Sequence, residues 1–157
     1  MYKKVLVPLD SSGLAECTLS HLEALVKDGH VGAVVLLSVV EMKLPLNYLA
    51  TEDSGFTEEF DFQAFWNEEV DKYQRYLADM QNALSAKGIK AETVVVKGAA
   101  PADAIIDFTQ KNNVDMIVMA THGYTGFKKL LMGSVAFRVL HESPVPVLLI
   151  RPESCRS

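Results

Sequence analysis

Three glycines and a serine follow one apolar segment of the sequence at a spacing that suits a phosphate ligand. Gly123, Gly126 and Gly133 permit positive φ and close approach of the backbone to a ligand. Gly133 and Ser134 stand directly before a predicted helix, whose first N–H groups and positive dipole end favour an anion. The Ser134 hydroxyl could donate to phosphate and could also cap the helix. These residues predict a phosphate site; the alternative is a flexible loop followed by an ordinary cap.

An acidic residue stands at the end of the first apolar segment, in the run Val7-Pro8-Leu9-Asp10-Ser11-Ser12. Ligands of open parallel sheets bind at the carboxyl ends of the strands. A carboxylate there could accept hydrogen bonds from the hydroxyl groups of a ribose. The alternative role for Asp10 is that of a helix N-cap or turn residue, and this residue taken alone favours the alternative.

Apolar and amphipathic segments alternate along the whole chain. Short apolar runs predict strands over residues 4–9, 33–40, 92–96, 115–120 and 145–150. Helical spacing predicts helices from Ser11 or Ser12 to about 28, over about 61–87, over about 101–112 and over 134–142. Because parallel strands need crossover connections, this order predicts an α/β fold with a parallel sheet and helices on both faces. Residues 41–60 break the pattern and are predicted to form a long, mobile connection.

The composition argues against a nucleic-acid or membrane partner. The 157 residues carry a net charge of −5 and contain no cluster of Lys and Arg of the kind that phosphate backbones require. The longest apolar stretch, residues 33–40, is too short to span a bilayer, and the first residues resemble no secretory signal. We therefore expect a cytoplasmic protein. Cys17 and Cys155 lack a metal-binding spacing and are expected to be free thiols.

The sequence resembles the universal stress protein family, whose ATP-binding members carry the motif G-x2-G-x9-G-[ST] after the fourth strand. The motif here reads A-x2-G-x9-G-S, with Ala120, Gly123, Gly133 and Ser134 in its four positions and Gly126 in addition. Segments 4–10, 98–102, 114–126 and 143–150 are similar to family segments in the same order. The likeness covers nearly the whole chain.

The resemblance implies an open five-stranded sheet of order 3-2-1-4-5, a Rossmann-like fold related to the adenine nucleotide alpha-hydrolases. It implies a single domain over residues 1–152, followed by a short tail over 153–157. In this strand order Asp10 and Gly123 face one crevice between the first and fourth strands. ATP, or ADP or AMP, is the expected ligand, and Mg²⁺ could accompany it.

The resemblance also assigns roles within this site. Asp10 would bind the ribose, Pro8 and the backbone around Val39 would line the adenine pocket, and Gly123, Gly133, Ser134 and the backbone of Val135 would hold the phosphates. Ala120 is expected to permit binding with weaker affinity or a looser choice among the nucleotides. His122 is expected near the ligand without a catalytic partner. The predicted site comprises Pro8, Asp10, Ser11, Val39, Ala120, His122, Gly123, Gly126, Gly133, Ser134 and Val135.

Three functions follow from these residues. The first is a nucleotide-binding protein with a regulatory or stress-response role. The second is an enzyme such as a slow ATP hydrolase, although no Walker A or PP-loop sequence occurs. The third is a dimeric interaction protein without nucleotide. Because the apolar strand 145–150 would lie at the sheet edge, a homodimer through this strand is expected in each case.

Overall fold

A parallel sheet with helices on both of its faces forms the fold. A computed structural model describes residues 1–13, 15–43, 61–121 and 132–151. Within these ranges the elements alternate as β1 (Tyr2–Pro8), α1 (Ala15–Lys27), β2 (Val31–Val40), α2 (Phe62–Ser85), β3 (Ala91–Lys97), α3 (Pro101–Lys111), β4 (Met116–Ala120), α4 (Ser134–Glu142) and β5 (Val147–Ile150). The sheet order is β3-β2-β1-β4-β5, and the paired strands are parallel. The predicted α/β class and strand order are confirmed.

The last strand is shorter than predicted. β5 begins at Val147, whereas the apolar run predicted a strand from residue 145. Ser143 Oγ donates to the carbonyl oxygen of Val145 at 2.8 Å and accepts from its N–H at 3.2 Å. These bonds satisfy both backbone groups of Val145 within a local turn, so this residue does not extend the strand. Residues 44–60 of the predicted long connection lie outside the described residues.

Each face of the sheet carries its own apolar cluster. Val5 and Val7 of β1 pack on the face covered by α1 and α2, whereas Leu6 packs on the face covered by α3 and α4. All three side chains are fully buried. Because side chains alternate across a strand and both faces are covered, the middle of β1 presents apolar side chains to both faces.

The start of β4 is tied to the start of β1. The carboxylate of Asp115 accepts from the backbone N–H of Lys3 at 2.7 Å and from that of Lys4 at 3.0 Å. The Asp115 N–H donates in turn to the Lys4 carbonyl oxygen at 3.0 Å. These bonds align the two strands whose opposite ends form the crevice described below.

Local sequence signals set the helix limits. The carboxylate of Asp61 caps α2 by accepting from the N–H of Ala64 at 3.0 Å. Pro101 opens α3 at a position where an N–H would have no partner within the helix. Gly29 and Gly88 follow α1 and α2 with φ of +74° and +80°, which glycine adopts readily.

The prediction of free thiols is wrong for Cys17, which is disulfide-bonded. Its Sγ atom lies 3.8 Å from the carbonyl oxygen of Arg151, just beyond β5. The fold therefore brings the start of the C-terminal segment against α1, a proximity that cysteine spacing does not reveal. Cys155 and the rest of the predicted tail, 153–157, lie outside the described residues.

Replacement of Gly32 by alanine is expected to destabilise the protein by about 1–3 kcal/mol, the usual cost of overpacking. A Cβ atom at Gly32 in β2 would lie 2.8 Å from the carbonyl oxygen of Lys3, a backbone atom of the neighbouring β1. The matched control is Gly13→Ala, because a Cβ there meets nothing within 4 Å. Urea unfolding of both variants measures the effect, and equal midpoints would contradict this explanation.

Candidate functional site

The carboxyl ends of β1, β2 and β4 open into one cavity of about 600 Å³. The chain leaves β1 for α1 on one face of the sheet and leaves β4 for α4 on the other, which creates a crevice between adjacent strands. Most of the predicted site residues line this cavity, namely Pro8, Asp10, Ser11, Val39, Ala120, Gly133, Ser134 and Val135. The other predicted residues, His122, Gly123 and Gly126, lie outside the described residues.

Asp10 forms a tight turn at the mouth of the cavity. Its Oδ1 atom accepts from the backbone N–H of Ser12 at 3.0 Å, and Ser11 between them has a φ of +62°. This left-handed conformation is uncommon for a residue other than glycine. The turn role of Asp10 is therefore observed. It is compatible with ligand binding, because a carboxylate has a second oxygen and several further acceptor positions.

The N-terminus of α4 opens into the same cavity. Gly133 is the N-cap with φ −70° and ψ 157°, and within the described residues no side-chain cap bond forms at this helix. Ser134 is the first helical residue, so the prediction that its hydroxyl caps the helix is wrong. The N–H groups of Ser134, Val135 and Ala136 have no partner within the helix, because the first bond of the helix runs from the N–H of Phe137 to the carbonyl oxygen of Gly133. All three residues line the cavity.

A hydrogen bond holds α4 against the end of β4. The N–H of Gly133 donates to the carbonyl oxygen of Thr121 at 2.6 Å. Because Gly133 has a negative φ, its backbone does not require glycine. What glycine provides here is the absence of a side chain at the cavity wall.

Ala120, in the first motif position, is the last residue of β4 and is paired in register with Ile150. Among the described residues, the non-glycine positions with positive φ are Ser11 and Asn113. Ala120 thus has a strand conformation that any residue adopts. A methyl group at this position imposes no backbone strain.

Charged and aromatic residues that the motif does not contain also line the cavity. Glu41 and Lys43 follow β2 and form an ion pair, whereas Glu69 and Tyr73 lie one turn apart on α2. The part of α2 that carries Tyr73 thus reaches the cavity. Glu41 could have been found from sequence by applying the carboxyl-end rule to the second strand as well as to the first.

The acidic lining and the helix N-terminus lie on opposite sides of β1. Glu41 belongs to the β2 side of the sheet, whereas α4 follows β4, and these two strands flank β1. Negative side chains repel a phosphate and a helix N-terminus attracts one. Lysines offset both carboxylates on the β2 side, because Glu41 pairs with Lys43 and Glu69 pairs with Lys72. The N-terminus of α4 is therefore the feature that favours a phosphate at one end of the cavity.

Neither a metal cluster nor a membrane span is seen in the described ranges. They contain no group of three or more His, Cys, Asp or Glu side chains that could hold a metal ion. None of the helices in these ranges has the length and apolarity needed to cross a bilayer.

The fold and cavity define a doubly wound α/β protein whose cavity lies at the point where the strand order reverses, the place where such folds bind ligands. The chain belongs to the universal stress protein family, whose family model matches residues 1–151.

Individual relatives agree with this assignment. Universal stress protein MJ0577 of Methanocaldococcus jannaschii is 31% identical over 158 aligned positions, which cover 96% of each chain. Its solved structure superposes with a TM-score of 0.78 at 30% identity, again over 96% of each chain. Two more distant structures share the fold. One is a universal stress protein of Archaeoglobus fulgidus in complex with dAMP, with 22% identity, a TM-score of 0.63 and coverage of 95% and 98%. The other is a universal stress protein in complex with cAMP, with 18% identity, a TM-score of 0.62 and coverage of 96% and 98%.

Proposed function

We propose that this protein binds an adenine nucleotide, with ATP as the principal ligand, and that occupancy serves a regulatory or stress-response role. The observation that carries the proposal is the convergence of two groups on one cavity of about 600 Å³. The first is the N-terminus of α4, which suits a phosphate, and the second is the Asp10 carboxylate, which suits a ribose.

The position of the α4 N-terminus at one end of the cavity favours one orientation of the nucleotide. We place the phosphates at Gly133, Ser134 and Val135, beside the donors of α4, and the base on the β2 side near Pro8 and Val39. The reverse orientation would place the phosphates away from the N–H donors of α4, beside carboxylates that lysines already pair. Asp10 follows β1, which lies between β2 and β4, so its carboxylate stands between the proposed base and phosphate positions, where the ribose would be. Mg²⁺ could accompany the phosphates as part of this proposal.

The choice of an adenine nucleotide has support from outside the cavity. The family members solved in complex with dAMP and cAMP share the fold of this chain. Both of those ligands combine an adenine base, a sugar and a phosphate. A ligand with these three parts matches the order of Pro8 and Val39 for the base, Asp10 for the sugar and α4 for the phosphate.

Two measurements on one purified sample test the proposal. Protein purified without added ligand is denatured, and the released nucleotides are identified by chromatography; protein freed of nucleotide is titrated with ATP, ADP, AMP and GTP by calorimetry. We expect bound adenine nucleotide or a micromolar dissociation constant for ATP, about −8 kcal/mol, with weaker binding of GTP. An empty protein that releases no heat with any of them would refute the proposal.

We further propose a homodimer formed through the β5 edge, Val147–Ile150. Leu148 on this strand is 37% exposed, and Phe137 and Leu140 on the adjacent α4 are 62% and 46% exposed. An exposed apolar edge strand invites pairing with another chain, and a twofold axis satisfies both edges at once.

Leu148→Lys is expected to convert the dimer to a monomer, because charged residues on an edge strand oppose pairing. Light scattering after size exclusion measures the mass. The matched control is Phe62→Lys, which also charges an exposed apolar side chain but lies on α2 beside the opposite half of the sheet. A wild-type protein that is monomeric at micromolar concentration would contradict the proposal.

A cytoplasmic location is also proposed, and cell fractionation tests it. The disulfide of Cys17 is the observation that argues against it, because disulfides are rare in a reducing cytoplasm. We expect the protein in the cytosolic fraction, and its recovery outside that fraction would contradict the proposal.

A further inference from the structure

Ser38 is a buried polar residue in the middle of an apolar strand. It is 1% exposed, and its neighbours in β2, Leu36 and Leu37, are fully buried. A buried hydroxyl group is costly unless it has a hydrogen-bond partner. The partner of Ser38 is the carbonyl oxygen of Leu9, to which its Oγ atom donates at 2.8 Å.

This bond completes the attachment of Leu9 to β2. The N–H of Leu9 donates to the carbonyl oxygen of Leu37 at 2.8 Å, and its carbonyl accepts from Ser38. Both backbone groups of Leu9 are thus held by one neighbouring strand. The residue itself is 4% exposed, although it lies beyond the last residue of β1.

The carbonyl group of Leu9 and the nitrogen of Asp10 belong to one peptide unit, which is planar. A hydrogen bond to that carbonyl therefore fixes the plane from which the Asp10 side chain departs. The turn beyond it is narrow: Oδ1 of Asp10 accepts from the N–H of Ser12, and Ser11 has a φ of +62°. Rotation of the preceding peptide would move the carboxylate and strain this turn.

We propose that Ser38 is a positioning residue for ribose recognition, which it controls by orienting the peptide unit between Leu9 and Asp10. Ser38 is not among the described residues that line the cavity, whereas Leu37, Val39 and Asp10 are. Its effect on a ligand is therefore transmitted through the backbone. This inference rests on the proposed nucleotide site and adds to it a residue that sets its preference for the sugar.

The test compares Ser38→Ala with the wild type by calorimetry, using ATP, 2′-deoxy-ATP and 3′-deoxy-ATP. The measured quantity is the ratio of the dissociation constants of each deoxy nucleotide and ATP. If the Asp10 carboxylate binds the ribose hydroxyls, the wild-type ratio should be about 10 or more, because a hydrogen bond to a charged group contributes that factor to affinity. In Ser38→Ala this ratio should fall at least about threefold, since a displaced carboxylate forms such a bond poorly. Ser38→Cys has a similar shape but a weaker donor, so its ratio should fall in the same direction. This variant is used if the alanine variant is unstable.

The matched control is Thr109→Ala. Thr109 is 2% exposed, and its hydroxyl donates to the carbonyl oxygen of Ile105 at 2.7 Å within α3, away from the Asp10 turn. Its loss should lower stability as the loss at Ser38 does, while leaving the sugar preference unchanged. ATP binding with a wild-type sugar ratio in both Ser38 variants would overturn the inference and leave the nucleotide site intact. A wild type that does not bind ATP would instead overturn the proposed function, and this inference with it.

Discussion

Replacement of Gly133 by valine is expected to abolish ATP binding, raising the dissociation constant at least about 100-fold, or about 2.8 kcal/mol. The backbone of Gly133, with φ −70° and ψ 157°, is one that valine adopts without strain. The hydrogen bond from its N–H to Thr121 can therefore persist. The new side chain would stand at the N-terminus of α4, in the space where we place the phosphates. Calorimetry with ATP measures the loss.

Ala100→Val is the matched control for this variant. Ala100 is the N-cap of α3, with φ −65° and ψ 142°, and like Gly133 it has no side-chain cap bond. Its exposed side chain is not among the described residues of the cavity wall. Both variants place valine at a helix N-cap; alanine is as poor a cap as valine, so the loss of a favourable cap belongs to Gly133→Val alone and is measured by its unfolding midpoint. Equal ATP affinity in the two variants would remove α4 from the proposed phosphate site.

Replacement of Asp10 by alanine is expected to weaken ATP binding about 10- to 100-fold, because hydrogen bonds to charged groups contribute about 1.5–3 kcal/mol. The variant loses the acceptor for the ribose and also the acceptor for the Ser12 N–H. Asp10→Asn separates these losses. An asparagine oxygen can still accept from Ser12 and preserve the turn, but the charge is gone.

The affinity of Asp10→Asn should therefore lie between those of the wild type and Asp10→Ala. Titration with 3′-deoxy-ATP and 2′-deoxy-ATP shows whether the lost affinity comes from the sugar. The affinities of the variants and the wild type should differ less for a nucleotide that lacks the hydroxyl bound by Asp10. If both variants bound ATP as the wild type does, Asp10 would be a turn residue alone.

Local sequence patterns decide where several of the helices begin and end. Asp61 and Pro101 began their helices where capping rules place them, and the predicted helix over 134–142 matches α4. These limits depend on groups within one turn of each other. β5 was predicted too long because Val145 bonds with Ser143 in a local turn, and an apolar run alone does not distinguish such a turn from a strand.

Residue types and spacing identified the cavity-lining residues that carry a local signature. Gly133 and Ser134 begin a helix, and Asp10 follows a strand, so their positions follow from the order of elements along the chain. The disulfide of Cys17, and the hydroxyl of Ser38 on the carbonyl of Leu9, carry no such signature. Each joins segments that are distant in sequence.

By itself, therefore, the sequence determined the alternation of strands and helices, most of the helix limits, and two segments that line the cavity, because periodicity and capping are short-range properties. The family motifs added the strand order. Only the tertiary structure decided that Tyr73 of α2 lines the cavity, that the acidic side chains lie across β1 from α4, and that Ser38 supports the Asp10 turn. These are relations between segments, and they exist once the sheet has brought the segments together.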